Sequence, residues 1–110
     1  MVKVFLSSKA NDIFLELKQS KHKVDQSIYK SIKEKIEIIK QNPKIGESIK
    51  KRFIPNEYLE KYGITILFKL RLANYWRLLY TINNNNDIEI IVFIIDVLDH
   101  KKYDNLFNFK

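Results

Sequence analysis

The order of apolar and polar positions divides the chain into a helical first half and a strand-rich second half. Residues 3–6 predict a short opening strand, and Ser7 or Ser8 can cap a following helix through its hydroxyl. That helix runs over about 9–19, with Ile13, Phe14 and Leu17 on one side. After the polar break Ser20-Lys21-His22-Lys23, Val24, Ile28, Ile32, Ile36 and Ile39 recur at spacings of four and three. This is the mark of one buried helical stripe, with Lys30, Lys33, Glu34, Lys35, Glu37 and Lys40 on the outer face. Asn42-Pro43 ends it, because proline disfavours helix at the residue before it. Residues 43–63, punctuated by Gly46 and Pro55, predict an irregular connection long enough to be functional or partly structured.

Strand patterns then take over. Residues 64–72, 75–82 and 88–97 predict three strands, with a tight turn at Ala73-Asn74 and a polar loop over 83–87. The last strand is apolar on both faces, which places it inside the sheet. Asp99 can cap a final helix over about 100–107. The expected architecture is a single α+β domain over 1–110, an antiparallel sheet packed on an N-terminal helical hairpin, in the order β-α-α-β-β-β-α.

Composition narrows the chemistry. No cysteine is present, which excludes disulfides and thiolate metal sites, and His22 and His100 alone make no zinc site. No apolar run approaches the roughly 20 residues of a membrane span, and the N-terminus is too soon polar for a signal peptide. A cytoplasmic protein without cofactor is the expectation. The formal charge of +7 is unevenly placed. Residues 44–77 carry eight Lys/Arg against three Asp/Glu, whereas 78–110 carry three against five. A clustered cationic surface favours a polyanion, although lysine-rich composition alone gives the same sum.

Within the basic third, Lys69 and Arg71 fall on one face of their strand, and a hairpin at Ala73-Asn74 brings Arg77 close in register to Arg71. No Asp or Glu occurs between residues 61 and 86, so these cations either meet an external phosphate or pair with a distant acid such as Glu89 or Asp96. His100 leaves the sheet rim as a candidate acid or base, or is an exposed helix-start histidine. Tyr103 offers a stacking face, or packs the last helix against the sheet. Tyr75, Trp76 and Tyr80 are expected to pack in the core and at its edge. No Gly-rich phosphate loop or Ser/His/Asp arrangement is present.

The stretch Phe68-Lys69-Leu70-Arg71-Leu72-Ala73-Asn74-Tyr75-Trp76-Arg77-Leu78-Leu79-Tyr80 resembles the central hairpin of RelE/ParE toxins: a basic strand, a short turn, then aromatic-Arg-apolar-apolar-Tyr. Leu98-Asp99-His100-Lys101-Lys102-Tyr103 resembles the exit of their last strand in archaeal and related members. The resemblance implies the toxin of a type II toxin–antitoxin system. Such a toxin enters the ribosomal A site and cleaves mRNA by attack of the 2′-hydroxyl on the adjacent phosphate, without a metal. It also implies a cognate antitoxin partner that masks the basic face. By the same resemblance Lys69, Arg71, Arg77, His100 and Tyr103 form the catalytic set, and Lys50, Lys51, Arg52, Lys61, Lys101 and Lys102 hold RNA. Departures from the pattern are a hairpin turn one residue longer, a shorter spacing to Tyr103, lysines where some active members have arginine at 101 and 102, and no obvious catalytic glutamate. A gyrase inhibitor of the ParE type and a non-catalytic RNA- or antitoxin-binding member are the alternatives on the same fold.

Overall fold

The computed structural model describes residues 1–83 and 89–107. The chain runs β1 (Val2–Leu6), α1 (Ser8–Gln19), α2 (Lys23–Gln41), β2 (Glu47–Ile49), a 3-10 turn at Lys51–Phe53, α3 (Asn56–Tyr62), β3 (Leu67–Arg71), a turn at Ala73–Tyr75, β4 (Arg77–Asn83), β5 (Ile90–Leu98) and α4 (His100–Phe107). The class is α+β, as expected. Most of the predicted polar loop, and the first residue of the last predicted strand, lie outside the described residues.

Two features correct the expected order. The sheet has five strands in the order β1-β5-β4-β3-β2, and it is mixed, because β1 pairs with β5 in parallel, Val2 opposite Ile90 and Leu6 opposite Ile94. The connection expected to be irregular also holds two elements. β2 pairs antiparallel with β3, Glu47 opposite Lys69, and α3 ends on Gly63, whose φ of 64° is the left-handed conformation that glycine takes without a steric cost.

Each sheet face has its own core. The helical hairpin covers the first face, where Ala10, Leu17, Ile28, Ile32 and Ile39 meet Leu78, Tyr80, Val92, Ile94 and Val97. Ser7 caps α1 by accepting from the Ala10 N–H at 3.0 Å, and its hydroxyl donates to the Ile95 carbonyl at 2.6 Å, which ties the helix to β5. Val24, predicted in the buried stripe, is 54% exposed because the first turn of α2 overhangs the core.

The second face is covered by α3 and α4. There Ile54, Tyr58 and Tyr103 close over Leu67, Leu79, Ile95 and Leu98. A β-bulge makes this face. The register passes from Leu79 opposite Asp96 to Tyr80 opposite Ile94, leaving Ile95 as the extra residue. Ile95 and Asp96 therefore both serve the second face. β5 has a neighbour on each side and is buried from Ile94 to Leu98, as its apolar run predicts.

A latch secures β2. The Tyr80 hydroxyl donates to the Pro43 carbonyl at 2.7 Å and accepts from the Gly46 N–H at 2.9 Å. Gly46 is required there by space, since a Cβ would lie 2.7 Å from that hydroxyl. No helix among the described residues is long and apolar enough to cross a membrane.

Candidate functional site

The period-two alternation of β3 puts Lys69 and Arg71 on the same side as Leu67, which belongs to the second core. On β4, Arg77 shares the side of Leu79. All three cations therefore lie on the second face, away from the helical hairpin. Arg71 stands directly opposite Arg77. The Leu72 N–H donates to the Trp76 carbonyl at 2.9 Å, so 72–76 is the bonded pair and Arg71–Arg77 the adjacent non-bonded one. Such pairs have Cα atoms roughly 4.5 Å apart and the closest side chains. Like charges directly opposite one another repel and destabilise a sheet.

The neighbouring acids do not relieve that repulsion. Lys9 reaches Asp96 at 3.1 Å and Lys3 reaches Glu89 at 3.1 Å. Lys69 lies 3.7 Å from Glu47, whose side chain is largely exposed. Among the described residues, no Asp or Glu forms an ion pair with Arg71 or Arg77.

Tyr103 organises the cations from below. It is 5% exposed, and its ring carries the Arg77 guanidinium at 5.5 Å and the Lys69 ammonium at 5.7 Å from the centroid. Tyr103 thus sits inside the second core as a π-surface beneath the cations. Arg77 is further fixed by donating from Nη1 to the Trp76 carbonyl at 3.1 Å.

His100 opens α4 and is exposed. Its Nε2 lies 3.1 Å from Asp104 Oδ2, and its ring centre is 6.2 Å from that of Tyr75. Through that contact it borders the hairpin turn next to the arginine pair. Asp99 caps α4, accepting from the Lys102 N–H at 2.8 Å.

The remaining cations divide. Lys50 lines a groove of about 230 Å³ with Lys69, Phe53 and Tyr103, so it adjoins the site. Lys51 and Arg52 are exposed beside it on the 3-10 turn, with Arg52 held over the Phe53 ring at 4.8 Å. Lys101 is exposed on the first turn of α4, while Lys102 faces a separate depression with Lys9 and Asp96. Lys61 is not part of the cluster. It stacks on Tyr62, whose ring packs 5.4 Å from Phe93, and Phe93 pairs with Thr81. Thr81 lies four steps along the strand from Arg77, roughly 13 Å at the usual strand rise.

The buried polar groups of the second face serve structure. Asp96 is 2% exposed and accepts from the Tyr58 hydroxyl at 3.1 Å and the Val97 N–H at 3.0 Å. Burial pushes the Tyr58 phenol well above its ordinary range, and the Asp96 charge and hydrogen bond push the same way. Burial also raises Tyr80, partly offset by the bond from Gly46. No group of three or more His, Cys, Asp or Glu residues that could hold a metal ion gathers among the described residues.

Tyr75 departs from its expected packing. It is 74% exposed at φ 64°, immediately after Asn74 at φ 57°. It lines one groove with Arg71, Leu72, Asn74 and Arg77. The sequence signal was the additional turn residue, which moves Tyr75 out of the strand and onto the tip. No protein-family model matches the chain, and no curated protein matches its sequence.

Proposed function

We propose that this chain is a RelE-like toxin, a cytoplasmic ribosome-dependent endoribonuclease that cleaves mRNA and is held in check by an antitoxin. The observation that carries the reading is the Arg71–Arg77 pair, opposed across β3 and β4 with no ion-pairing carboxylate among the described residues. Two permanently charged, planar donors at one place match the non-bridging oxygens of a phosphodiester. The resemblance of this hairpin to RelE/ParE toxins supplies the substrate class.

In the proposed reaction the 2′-oxygen bonds to phosphorus, the bond to the 5′-oxygen breaks, and a cyclic phosphate and a 5′-hydroxyl result. Arg71 and Arg77 bind the phosphate as charge builds on it, and Lys69 adds a third positive charge. His100 moves the proton. With Nε2–H donating to Asp104, Nδ1 is left as the acceptor for the 2′-hydroxyl proton. Tyr103 positions Lys69 and Arg77. Lys50, Lys51, Arg52 and Lys101 extend the cationic surface along the RNA, and Lys61 and Lys102 add more distant charge.

Induced expression tests this reading. The expected result is growth arrest, with new mRNA 5′ ends that fall within codons on translating ribosomes. Growth arrest with DNA breaks and intact mRNA would transfer the chain to gyrase inhibition.

A further inference from the structure

We infer that Tyr75 is a stacking platform for the nucleobase next to the phosphate held by Arg71 and Arg77. The inference rests on the proposed ribonuclease reading and assigns a base-binding position that the cation set does not include.

Tyr75 has a conformation that its own packing does not repay. Residues other than Gly, Asn and Asp rarely take positive φ, because Cβ then crowds the backbone, yet Tyr75 does so. An ordinary hairpin tip would place a small residue there. Here a large aromatic side chain is held out into solvent and belongs to neither hydrophobic core.

Its surroundings identify the ligand. The ring borders the same groove as Arg71 and Arg77, so a polyanion bound to the arginines passes beside it. His100 also stands near, its ring centre 6.2 Å away and its plane tilted by 58°. A nucleotide carries its base one ribose away from its phosphate. A phosphate clamp with an exposed aromatic face alongside therefore fits a nucleotide rather than a free phosphate, whose binding would leave the ring without a role. Aromatic faces bind any base, because every base has a π-surface.

The test is a binding cycle at low ionic strength, read by fluorescence anisotropy. The probes are a labelled mixed-sequence RNA hexanucleotide, the same hexanucleotide with single abasic positions, and inorganic tripolyphosphate as competitor. Tyr75→Ala is expected to weaken RNA about tenfold and leave tripolyphosphate unchanged, while Tyr75→Phe binds as wild type. One abasic position should weaken the wild type by the same factor and Tyr75→Ala no further. Arg77→Ala is expected to weaken both ligands. If Tyr75→Ala binds RNA normally while Arg77→Ala does not, the stacking role is wrong and the phosphate site stands. If Arg77→Ala leaves both ligands unchanged, the phosphate site is wrong and the stacking role falls with it.

Discussion

Lys9 holds Asp96 in an ion pair, Nζ to Oδ2 at 3.1 Å, across the edge of the sheet. Asp96, which stands opposite Leu79 two residues along the strand from Arg77, is thereby committed to a lysine on α1. Fold and site are coupled at this point: the pair anchors the first turn of α1, and it also keeps a buried carboxylate from acting as counter-ion to Arg77.

Lys9→Met is therefore expected to destabilise the protein. A fully buried pair broken on one side costs about 3–5 kcal/mol, but the Lys9 side chain is 59% exposed and solvent screens it, so about 1–2 kcal/mol is expected. Adding Asp96→Asn should recover part of the loss. Urea unfolding of the two single variants and the double variant checks this, and strictly additive losses would show that the pair is not coupled.

Arg77→Ala should abolish cleavage on ribosomes, by about a hundredfold or more, while changing stability by less than about 1 kcal/mol. Removing one of two opposed like charges offsets the loss of packing on Tyr103. Arg77→Lys should recover little, because an ammonium lacks the planar fork. Single-turnover cleavage together with a thermal melt separates the two effects. An unfolded Arg77→Ala protein would make this arginine structural.

The helical hairpin was legible because Ile28, Ile32 and Ile39 repeat at helical spacing over a long segment. Other elements left weaker marks. β2 has three residues, none of them buried, so no alternation announces it. α3 did leave a readable signature, Pro55 before its first turn and Gly63 after its last, inside a segment whose other residues suggested a loop. The parallel pairing of β1 with β5 has no local signal, because periodicity reports which side a residue faces and not which strand lies beside it. At the site, the closeness of Arg71 to Arg77 followed from the hairpin turn, while their direct pairing comes from its third residue, Tyr75. The distance of Lys61 from the arginine pair and the exposure of Tyr75 did not follow, because both depend on where a chain reversal points the backbone.

Tyr75→Gly should stabilise the fold by about 0.5–1 kcal/mol. Relief of left-handed strain outweighs the extra freedom that glycine gives the unfolded chain. A domain of this size would gain about 4 °C in Tm, which differential scanning calorimetry can detect. A higher Tm with weaker RNA binding would mark a residue retained for function at a cost in stability.

Alkaline pH gives a fourth expectation. Tyr58 and Tyr80 both have phenols raised above their unfolded value of about 10. The stability they protect is fully present below about pH 10 and is lost as pH rises beyond it. Each adds to the decline once the unfolded phenol ionises while the folded one still holds its proton. Chemical unfolding between pH 9 and about 11.5 should show the decline, and Tyr58→Phe should make it shallower.

The bond from Ser7 to Ile95 joins positions 88 residues apart, and every partner of β1 lies on β5. During synthesis the opening strand therefore emerges long before the neighbour that completes it. Until β5 has emerged, β4 lacks its partner on that side and α4, which carries His100 and the Tyr103 ring beneath Lys69 and Arg77, does not yet exist. The cationic site is therefore complete only once β5 and α4 have both been made.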